Sequence, residues 1–293
     1  MRKLTILMST YNGQQYLDKQ LKSIYNQRNI EDYDVSIIVR DDGSQDDTVR
    51  ILESWSDRMN IIVYREKNVG ARESFYWLIK NAPESDYYAF SDQDDIWKEN
   101  KIEKALGMMQ QKKTLYFSNV EYMDSDEHLL GKRLLKKDFS LSIERVFMCN
   151  PANGCTMIWD KALHQDFLRI PYDTFTMHDE FLCMVALVMG HVIYDPEASM
   201  FYRLHGLNVT QSNSLKKKFK IWRQIWFERK PYAIDERARM LLRYDVKEEM
   251  RPILNEICRY KKGINRFRIA LKYNCEDRGI SRSFKIRVLL GLA

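Results

Sequence analysis

DVSIIVRDDGSQDDTVRILESW, residues 34–55, carries the three signals that decide the fold. Val35, Ile37, Ile38 and Val39 form the apolar, β-branched run of a buried strand. That run ends in the acidic pair Asp41 and Asp42, followed at once by Gly43 and Ser44. Asp46 or Asp47 then caps a helix through Val49, Ile51, Leu52 and Trp55. The unit is strand, polar turn, helix.

The same unit recurs outward from this stretch. LTILMS (4–9) reads as a strand closed by Asn12-Gly13, and Tyr16, Leu17, Leu21, Ile24 and Tyr25 follow at helical spacing. NIIVYRE (60–66) is a third strand and 70–81 a third helix; DYYAFSD (86–92) is a fourth strand and LYFSNVEY (115–122) a fifth. Strands separated by helices predict an α/β domain with a mostly parallel central sheet. Ligands of such sheets sit beyond the carboxyl ends of the strands. Three strands end in polar clusters, Ser9 to Asn12, Asp41 to Ser44 and Ser91 to Asp95, which would gather on one rim. Neither G-x-G-x-x-G after the first strand nor a P-loop motif occurs, which excludes those two nucleotide sites.

Composition is ordinary for a globular chain of 293 residues, 45% hydrophobic and 30% charged. The five cysteines form no C-x-x-C, so a zinc ribbon or disulfide framework is not expected and a reducing cytosol is the simpler home. The longest apolar stretch, 181–194, is broken by Gly190 and His191 and is shorter than the ~20 residues a bilayer requires. The N-terminus shows no small-residue cleavage site and reads as a strand.

Net charge is +6, but residues 212–293 hold 22 basic against 9 acidic residues, whereas 1–211 hold 25 against 32. The expected organisation is an acidic body over 1–211 and a basic, helical C-terminal region over 212–293. Within the latter, SLKKKFKIWRQIWFERK (214–230) interleaves Phe219, Trp222 and Trp226 with Lys216, Lys217, Lys218 and Lys220. Basic amphipathic helices with aromatic anchors lie on anionic membranes; the alternative is a small helical subdomain packed on the body. Further helices are expected over 233–247 and 253–272.

Asp92-Gln93-Asp94 at a strand end suits a hard divalent cation bridging carboxylate and phosphate oxygens, or else it is an acidic turn capping a helix from Trp97 onward. ILMSTYNG (6–13), IIVRDDGSQDDT (37–48) and FSDQDDIW (90–97), in that order and spacing, resemble the inverting glycosyltransferases of family 2, which have the GT-A fold. With FYRLHGLNV (201–209), the pattern is similar to the bacterial branch that includes polysaccharide rhamnosyltransferases. The resemblance covers about residues 3–211.

That resemblance implies a set of roles. Ser9, Thr10 and Tyr11 would line the nucleotide base pocket and Asp42 would bind the base edge, while Asp41 orients the turn. Asp92 would lie near the ribose. Asp94 and His205 would ligate Mn²⁺ or Mg²⁺. Asn68 and Gly70 would open the third helix toward the donor, where anions are favoured, although a plain helix-start turn is equally consistent with them. Displacement at an anomeric carbon also needs a base for the acceptor hydroxyl. Asp179, within Met177-His178-Asp179-Glu180, would be that base; its alternative is a helix N-cap, and Glu180 is a competitor. His178 is read as structural, Cys155 of Asn153-Gly154-Cys155 as packed and inert, and Arg203 as a surface ion pair or a diphosphate contact.

The expected activity is transfer of one sugar, dTDP-rhamnose favoured and UDP-hexose next, to a glycan or lipid-linked oligosaccharide. Its expected place is cytoplasmic, peripheral at the inner face of the cell membrane through the C-terminal region, with no nucleic acid as partner. The Q-x-x-R-W signature of processive synthases is absent. Two other readings are a sugar-nucleotide pyrophosphorylase, which would want a basic Gly-rich loop where Ser9 to Gly13 stands, and a non-catalytic binder acting through the tail, for which an acidic rim is unsuited.

Overall fold

The computed structural model describes residues 1–136, 139–143, 146, 150–172, 177–205 and 234–259. Strands β1 (Arg2–Thr10), β2 (Tyr33–Asp41), β3 (Asn60–Arg65) and β4 (Tyr87–Ser91) alternate with helices α1 (Leu17–Tyr25), α2 (Thr48–Trp55) and α3 (Ala71–Asn81). These four strands run parallel in the spatial order β3-β2-β1-β4. Chain order reverses between β1 and β4, which opens a crevice beyond their carboxyl ends. In β1, Leu4, Ile6, Leu7 and Met8 are all fully buried. Helices cover both faces of the sheet, and strands so covered read as unbroken apolar runs.

The remaining half makes the sheet mixed, not mostly parallel. β8 (Ile158–Asp160) is antiparallel to both β4 and β6 (Thr114–Met123). β9 (His191–Arg203) is parallel to β6, while β5 (Ile96–Trp97) and β7 (Leu129–Arg133) are antiparallel to β9 and β6. The reversal has a local cause. The chain reaches β8 from a 3-10 turn, Gly154–Thr156, at the rim, so it re-enters the sheet running away from the end to which β4 points. Three residues of strand are also too few to show a period.

Two apolar layers flank the sheet. Leu4, Ile6 and Met8 face α1, α2 and α4 (Lys101–Met108), whereas Leu7 faces α3, α5 (Lys161–Arg169), α6 (His178–Met189), α7 (Ile234–Leu241) and α8 (Arg251–Cys258). α6 is buried almost all round, including Phe181, Leu182, Met184, Val185 and Val188, because α7 and α8 belong to the same cluster. Its sequence accordingly shows no polar face. α7 is shorter than the helix expected over 233–247; α8 carries Pro252 in its first turn, and most of the helix expected over 253–272 lies outside the described residues. The amphipathic stretch 214–230 lies outside the described residues. No helix among the described residues is long and apolar enough to cross a membrane.

Candidate active site

The loops after β1, β2 and β4 are tied together at the crevice. Asp41 accepts hydrogen bonds from the Thr10 hydroxyl (2.9 Å) and from Ser44 N–H (2.9 Å), which fixes the acidic turn. Asn12 adopts φ +46° and accepts from Gln45 N–H at 2.8 Å, closing the β1 loop on the β2 loop. The Gln93 amide accepts from Tyr11 N–H at 2.9 Å and donates to Tyr11 O at 3.0 Å. That approach requires Gly13: a Cβ there would lie 2.2 Å from Gln93 Oε1.

Ser9 is half-buried and donates to Ser74 at 2.7 Å, Thr10 is buried, and Tyr11 is exposed. Asp42 is buried, paired with Arg40, and accepts from Val69 N–H (3.0 Å) and Gly70 N–H (2.8 Å). Asp42 therefore organises the entry to α3, where Gly70 takes φ +86° and Asn68 is exposed. Within the described structure these backbone donors point at Asp42.

The acidic turn after β4 concentrates charge. Asp94 Oδ2 lies 2.7 Å from His205 Nε2, so two side chains 111 positions apart in sequence meet at the rim. Tyr16 packs on the His205 ring at 4.9 Å between centroids. Burial first, then the charges of Asp94 and Asp179, pushes Asp92 up to about 7. Asp95 is raised well above the carboxylate range by burial and by Asp94 and Asp92, and its Oδ2 has no hydrogen-bond partner among the described residues. Like-charged carboxyls that raise one another mark surplus negative charge, which a cation would relieve. Carboxylate oxygens with one imidazole fit Mn²⁺ or Mg²⁺. The potential ligand atoms of Asp92, Asp95 and Cys155 also converge within 4.8 Å. Burial holds the Cys155 thiol well up in the absence of an ion; the Asp94 and His205 pair lies at the same acidic turn.

Three residues in this region had no role, or a different one, in the sequence reading. Lys101 is fully buried, donates to Cys155 O at 2.6 Å and sits over the Trp97 ring at 4.2 Å. Burial lowers it to about 8, against the opposing charges of Asp95 and Asp92. Its place on the apolar face of α4, in line with Ala105, was the available signal. Arg203 is neither a surface pair nor a diphosphate contact. It is fully buried, donating from Nε to Asp94 O (2.8 Å), from Nη1 to Ser125 O (3.1 Å) and from Nη2 to Glu127 (3.2 Å). Its backbone N–H donates to Asp95 at 3.0 Å. It fixes the acidic turn from behind. Asp95 is the third acid of a run in which only the first and third positions had been read as ligands or contacts.

Asp179 faces this rim closely enough for its charge to raise Asp92. It lies in the first turn of α6, whose N-cap is Met177, so it is not the cap. Its Oδ2 accepts from Gly154 N–H at 3.2 Å and its Oδ1 from Glu180 N–H at 2.7 Å. Glu180 turns away to accept from Arg237 of α7 at 3.1 Å. His178 is buried between Phe75 (4.1 Å) and Phe90 (4.7 Å), and burial holds it down at about 4. It is a neutral ring packed behind Asp179, and its Nδ1 makes no hydrogen bond among the described residues.

Residues 5–165 match the family described as Glycosyl transferase family 2. The chain belongs to family 2 of the glycosyltransferases. It is 33% identical over 242 residues to a dTDP-rhamnosyl transferase, RfbG, of Shigella flexneri, covering 76% of this chain and 81% of that protein. It is 27% identical over 223 residues to a putative teichuronic acid biosynthesis glycosyltransferase, TuaG, of Bacillus subtilis, covering 75% and 85%. Its fold is similar to that of S. aureus TarS 1-349 in complex with UDP-GlcNAc, with TM-score 0.63 and 18% identity over 99% of this chain and 80% of that one. It is also similar to mannosyltransferase PcManGT from Pyrobaculum calidifontis in complex with GDP-Man and Mn²⁺, with TM-score 0.57 and 13% identity over 99% and 74%. This family 2 glycosyltransferase thus carries a GT-A-like nucleotide-sugar fold on a mixed sheet.

Proposed function

We propose that this glycosyltransferase moves a single sugar, rhamnose from a dTDP donor before a hexose from UDP, onto a hydroxyl of a glycan or lipid-linked oligosaccharide during surface-polysaccharide assembly. The observation that carries the reading is the meeting of Asp94 with His205 at 2.7 Å on the rim that Asp179 faces. The 33% identity to a dTDP-rhamnosyl transferase supports the donor.

In this reading Ser9, Thr10, Tyr11 and Asp42 hold the nucleoside, Asp92 the ribose, and Asn68 with Gly70 the approach to α3. Asp94 and His205 would hold Mn²⁺ or Mg²⁺, which when bound neutralises charge developing on the diphosphate. The Asp179 carboxylate takes the proton from the acceptor hydroxyl, whose oxygen forms a bond to the anomeric carbon as the bond to the diphosphate breaks on the opposite face. Attack from the opposite face inverts the configuration. Residues 1–211 supply the chemistry. Residues 212–293, with 22 basic side chains, bring the enzyme to an anionic inner membrane face where a lipid-linked acceptor resides.

A thermal-shift panel of dTDP-rhamnose, UDP-glucose, UDP-galactose and UDP-GlcNAc, with and without Mn²⁺, tests it. A ligand bound only to the folded state raises the melting temperature by mass action. A Mn²⁺-dependent shift with dTDP-rhamnose, lost in Asp94→Ala, is expected. A shift with UDP sugars alone would remove the rhamnosyl reading, and shifts indifferent to Mn²⁺ would remove the metal site.

A further inference from the structure

The helix that carries Asp179 is clasped at both ends by the C-terminal helical region. At its start, Arg237 of α7 donates from Nη1 to Glu180 Oε1 at 3.1 Å, and the Arg237 side chain is 1% exposed. At its end, Lys247 donates from Nζ to Gly190 O (2.9 Å) and from its backbone N–H to Val188 O (2.9 Å). Between the clasps, Ile234, Ala238 and Leu241 share one apolar cluster with Phe181, Val185 and Val188. A guanidinium so far from water is tolerated only when paired with good geometry, and here the pairing ties Glu180 to a residue 57 positions away.

Glu180 is adjacent to Asp179, and the two are joined a second time through the 2.7 Å bond from Glu180 N–H to Asp179 Oδ1. The side chain of Glu180 is thus held by α7 and its backbone by Asp179. We infer that Arg237 is a positioning residue for transfer: by fixing Glu180 it fixes the turn that aims Asp179, so the C-terminal helices belong to the catalytic unit. This rests on the reading of Asp179 as the base.

The test compares full-length Arg237→Met, Arg237→Lys, Lys247→Met and Asp179→Asn. Amide hydrogen exchange reports local opening of a helix end without any substrate. Arg237→Met is expected to speed exchange over 178–183 about tenfold or more and leave 185–190 unchanged. Lys247→Met is expected to do the reverse, and Arg237→Lys to restore most of the protection. Turnover is read as nucleoside diphosphate release from whichever sugar of the panel binds with Mn²⁺. Misplacing a catalytic group by an ångström can cost on the order of 100-fold. Arg237→Met is therefore expected to lower kcat roughly 10- to 100-fold with donor KM little changed, and Lys247→Met to lower it far less at a similar loss of melting temperature.

Wild-type exchange over 178–183 in Arg237→Met, or a kcat loss no greater than that of Lys247→Met, overturns the inference. Normal turnover by Asp179→Asn would instead remove the base reading, while the exchange result still judges the clasp. If Arg237→Met does not fold, Glu180→Gln, which keeps the side-chain volume, takes the same two measurements with the same criteria.

Discussion

Gly154→Ala tests whether the turn before β8 and the start of α6 are packed to a close tolerance. A Cβ at Gly154 would lie 2.9 Å from His178 Nε2 and 3.3 Å from Asp179 Cβ. Unstrained heavy-atom contacts lie near ~3.5 Å or beyond, so the imidazole must retreat by roughly 0.6 Å. It has little room to do so, stacked at 4.1 Å on Phe75 with Phe90 edge-on at 4.7 Å. Overpacking of this kind costs about 1–3 kcal/mol, which predicts a melting temperature lower by roughly 2–5 °C. The same displacement moves Asp179, whose Oδ2 takes the Gly154 N–H, so kcat should fall by about 10- to 100-fold while donor binding persists. Differential scanning calorimetry and steady-state turnover read the two effects. The double variant Gly154→Ala/His178→Ala removes the obstructing ring, and its loss of stability should be smaller than the sum of the two single losses. A Gly154→Ala enzyme with wild-type melting and turnover would refute the packing argument.

Other perturbations address the metal, pH and the tail. Asp94→Ala should lose Mn²⁺-dependent stabilisation by the donor while the free protein still folds, as read by thermal shift. Burial holds His164 and His178 at about 4, below the ordinary ~6.5 of histidine. The unfolded chain therefore binds their protons first, and stability present above pH ~6.5 is lost as pH falls toward 4, at up to ~1.4 kcal/mol per pH unit for each ring. Asp92, raised to about 7, contributes in the opposite direction, so the histidine effect is read as the difference in urea unfolding between wild type and His164→Gln across pH 4.5–8. A His164→Gln slope equal to wild type would refute it. Replacing Lys216, Lys217, Lys218 and Lys220 with glutamate should weaken sedimentation with phosphatidylserine vesicles, since each lysine near such a surface contributes about 1 kcal/mol. Undiminished binding would refute the membrane role of that stretch.

The first four strands were legible because each is an apolar, strand-forming run ending in polar residues, as in Val35 to Asp42. Their parallel order follows from the helices between them. The second half was not, because β8 and β5 are only three and two residues long and their direction is set by pairing across the sheet. Among the site residues, the polar rim was readable from strand ends, and the family resemblance supplied Asp94, Asp179 and His205. Lys101 and Arg203 were obscured for a common reason. A charged residue in a sequence reads as solvated, and only the fold reveals that carbonyls of Cys155, Asp94 and Ser125 receive these two buried cations. Arg237 was equally hidden, since the basic tail was read through its net charge and not through any single side chain.

The reciprocal amide pair between Gln93 and Tyr11 has a consequence for altering this enzyme. With the Asn12 and Asp41 bonds, it makes the loops after β1, β2 and β4 one interlocked frame. A substitution in any one of them disturbs the other two, so under the proposed reading, in which these loops hold the nucleoside, a change of nucleotide demands several coordinated replacements.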